Sequence, residues 1–226
     1  MSMVDRRVLR YANDELTTHA DISEHCGFWA NDIVVNDESG VAYVGNFGFD
    51  LDVMLRDVGA AGMMASPPPG TNLVVLGPQG ELLQVVPDMQ FPNGAVLSSD
   101  GATLIVAETM AFRLTAFDVA GDGTLSNRRV FAKLEFVAAD GICLDKNGEV
   151  WVANALATQC LRVAEGAKIT AQVDTQLNAF ACMLGGEDRL DLYVMTSPTS
   201  SRFELDGTTQ ATIERVRVDV AGAGLP

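Results

Sequence analysis

Short apolar runs, each broken by a polar turn and resumed, dominate the hydropathy pattern of the chain. Asn31-Asp32-Ile33-Val34-Val35 turns through Asp37 to Gly40 and continues Val41-Ala42-Tyr43-Val44-Gly45-Asn46. Asn93-Gly94-Ala95-Val96-Leu97 turns at Asp100-Gly101 and resumes as Thr103-Leu104-Ile105-Val106-Ala107-Glu108. Asp140-Gly141-Ile142-Cys143-Leu144 turns through Asp145 to Gly148 and leads to Val150-Trp151-Val152-Ala153-Asn154. A looser copy runs Phe180-Ala181-Cys182-Met183-Leu184, turns near Gly185-Gly186, and ends in Leu192-Tyr193-Val194-Met195. Each unit reads as two strands joined by a tight turn. Further strand pairs lie between the copies: Leu73–Leu76 with Glu81–Val86, and Leu114–Phe117 with Arg128–Phe131. Four strands per repeat, recurring at intervals of about 40–60 residues, predict an all-β chain folded as a β-propeller. A β-sandwich is the competing architecture, but it gives no reason for the recurrent Asn/Asp start. Long helical periodicity is absent, and the stretch from Asp52 to Gly70, with Pro67-Pro68-Pro69, reads as a surface loop. At 226 residues the chain is expected to form a single domain over 1–226.

In a propeller the innermost strand of each blade lines a central channel, so residues at its start converge on one axis. Asn31, Asn93 and Asp140 hold that position in three successive repeats. Asn-Gly and Asp-Gly are ordinary turn pairs as well. Here, however, they precede a strand–turn–strand unit, whereas a hairpin turn would sit between its two strands. Amide and carboxylate oxygens meeting in one channel suit a hard divalent cation such as Ca²⁺ or Mg²⁺.

Composition narrows the chemistry. With 30 acidic against 15 basic residues the formal charge is −15, which disfavours nucleic acid and anionic membrane surfaces as partners. The simplest use of that charge is a solvated acidic surface; a mouth that concentrates cations is the alternative. Cys26, Cys143, Cys160 and Cys182 lack the spacing of a zinc site, and are expected as buried thiols. His19 and His25 are the only histidines, too few to supply a His-rich metal site. No apolar run is long enough to span a bilayer, and the segment after Met1 does not read as a signal peptide. Both point to the cytoplasm.

Phe91-Pro92-Asn93-Gly94, Ala139-Asp140-Gly141-Ile142-Cys143-Leu144-Asp145 and Asn31-Asp32 resemble motifs of the gluconolactonase and senescence-marker-protein (regucalcin) family. Leu125-Ser126-Asn127-Arg128-Arg129 and Ala181-Cys182-Met183-Leu184-Gly185-Gly186 extend the resemblance, which runs from about Arg6 to Val220. It implies a six-bladed propeller with one divalent metal at the channel centre, Ca²⁺ first and Mg²⁺, Mn²⁺ or Zn²⁺ as alternatives. By motif, Asn93 and Asp140 match metal ligands, Asp140 also matches the general base, and Asn31 matches a pocket residue that reaches the metal in more distant propeller hydrolases. Asn31 and Asp32 together match a substrate-binding motif. The implied activity is hydrolysis of a small lactone or ester; within the same class, phosphotriesters and fluorophosphates fit the same metal geometry.

Two departures from the family pattern set further expectations. The family's first blade and half of its second have no counterpart here, so the chain is expected to carry about four and a half to five blades. No residue matches the Glu ligand of that first blade; Glu15 and Glu24 lie nearby, but neither starts an inner strand. A non-catalytic propeller acting as a binding module is therefore the alternative function. Where the sugar-lactone branch often has Arg, this chain has Trp29. That residue reads either as an aromatic wall favouring an apolar substrate or as packing between blades. To cover the exposed sheet edges, Arg7–Tyr11 is expected to share a blade with Thr212–Val218, or two copies to pair as an edge-to-edge homodimer.

Overall fold

Seventeen strands fall into five antiparallel sheets in the computed structural model, which describes residues 1–204 and 210–224. A hairpin of β1 (Arg7–Ala12) and β2 (Glu15–Asp21) comes first. Three four-stranded sheets follow, each in simple chain order. The first contains β3 (Ala30–Val35), β4 (Ala42–Asn46), β5 (Thr71–Leu76) and β6 (Leu82–Met89). The second contains β7 (Pro92–Leu97), β8 (Thr103–Glu108), β9 (Arg113–Val119) and β10 (Leu125–Lys133). The third contains β11 (Ala139–Leu144), β12 (Val150–Asn154), β13 (Gln159–Val163) and β14 (Ile169–Asp174). The last sheet has three strands, β15 (Asn178–Gly185), β16 (Asp191–Ser197) and β17 (Thr212–Arg217). This is the propeller arrangement: four sheets with an inner strand, plus a two-stranded hairpin.

The sequence alternation becomes an apolar layer at every sheet-to-sheet contact. Tyr43, Leu73 and Val75 of the first four-stranded sheet pack on Leu104, Val106 and Phe117 of the second. Val96, Ile105 and Ala116 pack on Val150, Val152 and Leu161 of the third. Trp151 and Cys160 meet Cys182, Leu192 and Val194 of the last. The hairpin joins the same scheme, with Val8, Ala20 and Ile22 against Ala42, Val44 and Val74. Strands β4 and β12 are buried at every residue, because both of their faces meet a neighbouring sheet. Each Val, Leu or Ile so buried contributes about 1.5–3 kcal/mol before entropy is counted. All four cysteines are free and buried within these layers.

Two expectations change. The stretch from Asp52 to Gly70 is mostly helical: α1 (Leu51–Ala65) is capped by the Asp50 carboxylate, which accepts from the Val53 N–H at 3.1 Å. The helix kinks at Gly59, whose φ of 67° interrupts the helical ladder, and it stops ahead of the three prolines. Leu51, Met54, Leu55 and Met63 turn one face of it onto Phe49 and Phe91. Secondly, Arg7–Tyr11 and Thr212–Val218 do not form a shared blade. β1 pairs with β2, β17 pairs with β16, and the two lie in different sheets. Edge pairing between two copies, the other expectation, belongs to the assembly and not to one chain. The loop after β16 instead reaches back to α1, where Arg202 pairs with Asp50 at 3.1 Å and Asp52 at 3.3 Å.

Candidate metal centre and substrate pocket

The inner strands β3, β7, β11 and β15 stand side by side around the channel, and their registers are equivalent. Ala30 pairs with Asn46, Pro92 with Glu108, and Ala139 with Asn154. The next residue on each inner strand is Asn31, Asn93 and Asp140, so the three reach the axis at one level. On the last blade Ala179 pairs with Thr196, which puts Phe180 at the corresponding position. The glycines after Asn93 and Asp140 are extended, with neither at positive φ. They are there for closeness. A Cβ on Gly94 would lie 2.6 Å from the Asp140 carbonyl oxygen, and one on Gly141 would lie 2.7 Å from the Ala181 Cα. The Asn-Gly and Asp-Gly pairs thus let inner strands approach, and they make no turn.

A chain of hydrogen bonds fixes which way the Asn93 amide points. The Thr109 hydroxyl lies 2.6 Å from the Ala139 carbonyl oxygen, a group that can only accept, so its single proton goes there. It must then accept from its other neighbour, and Asn93 Nδ2 donates to it at 3.1 Å. Asn93 Oδ1 is left facing the channel, where Asn31 Nδ2 donates to it at 2.8 Å. A second lone pair of that oxygen remains for a cation. Thr109 itself follows Glu108, whose carboxylate is fully buried. That carboxylate accepts from Arg113, Arg128, Thr115 and the Gln90 backbone N–H. The network pins the turn before Asn93, where Phe91 is held at φ 57°, a conformation costly for an aromatic residue.

Asp140 carries no such compensation. Burial, then the nearby Asp32 charge, push its carboxyl up to about 8, with only the Asn93 amide pulling the other way. Burial among the surrounding protein likewise raises Asp32, although the residue keeps exposed surface. Among the described residues no cation accounts for either carboxylate. Two carboxylates with no cationic partner, beside the Asn93 oxygen and the Asn31 amide, form a hard donor set that a divalent cation fits. The described residues contain no cluster of three or more His, Cys, Asp or Glu placed to hold a metal, so the amides are essential to the set. Glu15 and Glu24 are exposed and add no third carboxylate.

A cavity of about 200 Å³ opens above these residues, with Asn31, Asn93, Thr109 and Asp140 on its floor and α1 as its roof. Trp29 is not part of its lining: the ring stacks on Phe28 at 4.9 Å and lies under the Arg202 guanidinium, also at 4.9 Å. A larger hollow of about 500 Å³ lies at the opposite end of the inner strands, among the turns at Asn36 and Asp100, and has none of the converging donors. Sequence reasoning missed Thr109, Glu108 and the roof. Only the roof left a signal, the apolar spacing Leu51-Met54-Leu55-Val58.

The SMP-30/Gluconolactonase/LRE-like region matches residues 2–198. The chain belongs to that family. Regucalcin of Danio rerio is 26% identical over 193 residues, covering 80% of this chain and 59% of that protein. This member of the family thus spans less than two thirds of the curated relative. Regucalcin of Agrobacterium tumefaciens, a calcium-binding protein, superposes with a TM-score of 0.74 at 20% identity, over 98% of this chain and 75% of that one. A gluconolactonase from Xanthomonas campestris gives 0.64 at 23% identity, over 86% and 63%. The last two establish the propeller fold. No described helix is long and apolar enough to cross a membrane.

Proposed function

We propose that this SMP-30/gluconolactonase-like chain is a divalent-metal-dependent hydrolase of small lactones or esters, with Ca²⁺ as its first candidate ion. The observation that carries the reading is the convergence of Asn31, Asn93 and Asp140, with Asp32 beside them, at the floor of one pocket. Asn93, Asp140 and Asn31 would hold the cation. When bound, the cation supplies charge stabilisation for the carbonyl oxygen. Asn31 and Asp32 bind the substrate's polar end; Asn31 spends one amide proton on Asn93 and keeps a second for a substrate oxygen. Asp140 takes the proton of the attacking water as the new C–O bond forms, then returns it to the leaving alkoxide as the ring or ester bond breaks. The product is the hydroxy acid, or the acid and alcohol.

Hydrolysis of γ- and δ-lactones with added Ca²⁺, Mn²⁺ or Zn²⁺ tests this, with Asp140→Ala as the partner variant. Activity lost in the variant supports the mechanism; equal rates overturn it. The competing reading, a binding module without catalysis, is favoured by the lack of a third carboxylate among the described residues. Saturable ligand binding without turnover would establish it.

A further inference from the structure

The pocket is polar at its floor and, apart from the exposed Ser200 at its edge, apolar elsewhere, and this division defines what it accepts. Leu51, Leu55 and Met63 face it from α1, and Phe91, Phe112 and Phe180 close its walls. Three of its four floor groups are already linked, since Asn31 donates to the Asn93 oxygen and the Asn93 amide donates to the Thr109 hydroxyl. No wall or roof residue of this set carries a hydrogen-bonding side chain. A substrate hydroxyl entering that part exchanges water for nothing, at a loss of roughly five- to 150-fold in binding for each group. A methylene in the same place gains roughly fourfold. The cavity of about 200 Å³ equals roughly six or seven water volumes, room for a five- or six-membered ring and a short chain, and too little for a disaccharide.

We infer that the substrate is a small lactone or ester of an aliphatic acid, its carbonyl at Asn31, Asn93 and Asp140 and its alkyl group under α1. This deepens the hydrolase reading and rests on it for the reaction, but not for the binding preference. A sugar lactone, hydroxylated around the ring, is excluded as the preferred ligand.

The test uses the full chain with Ca²⁺ and two ligand series. Hydrolysis is followed for γ-butyrolactone through γ-nonalactone and for glucono-δ-lactone. Calorimetry measures binding of the matching γ-alkyl γ-lactams, which stand in for the ring without being cleaved. Lactam affinity is expected to rise about three- to fourfold per methylene until the cavity is full, with kcat/KM following for the lactones and glucono-δ-lactone the poorest substrate. Leu55→Gln is expected to erase most of the chain-length gain, and Asp57→Asn, on the exposed face of α1, to leave it intact. If glucono-δ-lactone outperforms the alkyl series, or lactam affinity is flat with chain length, the inference is overturned and the hydrolase reading stands. If the lactams bind with the expected gain but no lactone is cleaved with any divalent ion, the inference stands and the hydrolase reading fails.

Discussion

Thr109→Val isolates the hydrogen-bond chain that orients Asn93. Valine keeps the shape of threonine and removes the hydroxyl, so the Asn93 amide loses its acceptor and the Ala139 carbonyl loses its donor. Asn93 and Thr109 are 4% and 8% exposed, so water cannot readily replace either partner. Each orphaned buried group costs about 1–3 kcal/mol, or about 2–6 kcal/mol together. For a chain of this size that lowers Tm by roughly 4–24 °C. Thr109→Ser keeps the hydroxyl and is expected to stay within about 1 kcal/mol of the parent. Melting followed by circular dichroism, in chelator, gives the stability; Ca²⁺ titration calorimetry gives the second readout. With the lock removed, the Asn93 amide is free to turn its nitrogen to the channel, and Ca²⁺ affinity is expected to fall at least tenfold in the valine variant and to recover in the serine variant. A valine variant that melts early yet binds Ca²⁺ like the parent would refute the orientation argument.

The other expectations concern neighbouring parts of the same frame. Gly94→Ala puts a methyl into backbone atoms of β11 and is expected to cost about 3 kcal/mol or more in chemical unfolding, because only strand separation relieves it. Glu108→Ala leaves Arg113 and Arg128 around an empty buried site. A loss of about 3–5 kcal/mol is expected there, against a much smaller one for Asp118→Ala, whose pair with Arg129 is exposed. Asp140 has a folded-state value raised to about 8 from 3.8. Its favourable contribution is therefore complete below about pH 4 and is lost as pH rises through 8. Tm of the metal-free protein is expected to fall across that window, and the fall to be shallower in Asp140→Asn; identical slopes would show that Asp140 is not the group responsible.

The propeller was legible because its signal is periodic. Four copies of strand, turn and strand need only alternation and turn residues, and those survive even in the loose copy around Cys182. The floor residues were legible for a related reason, since register alone carries Asn31, Asn93 and Asp140 to one level. The roof was not. Gly59 and Gly62 fall inside α1, and local propensity counts them against a helix that Asp50 capping and packing on Phe91 sustain. Thr109 was invisible in a different way: its hydroxyl acts across blades, on a carbonyl 30 positions away, and no spacing rule marks such a contact. Trp29 could face the pocket or its neighbours from sequence alone. Arg202, 173 positions on and drawn to Asp50 and Asp52, covers the ring.

Crystals soaked in Mn²⁺ and measured at its absorption edge locate the ion directly. The expected result is one strong anomalous peak on the channel axis, bound by Asn93 Oδ1 and an Asp140 carboxylate oxygen with Asn31 adjacent, and absent from Asp140→Asn crystals. A channel with no peak at saturating Mn²⁺, or a peak among surface carboxylates only, would show that these inner strands do not build a cation site.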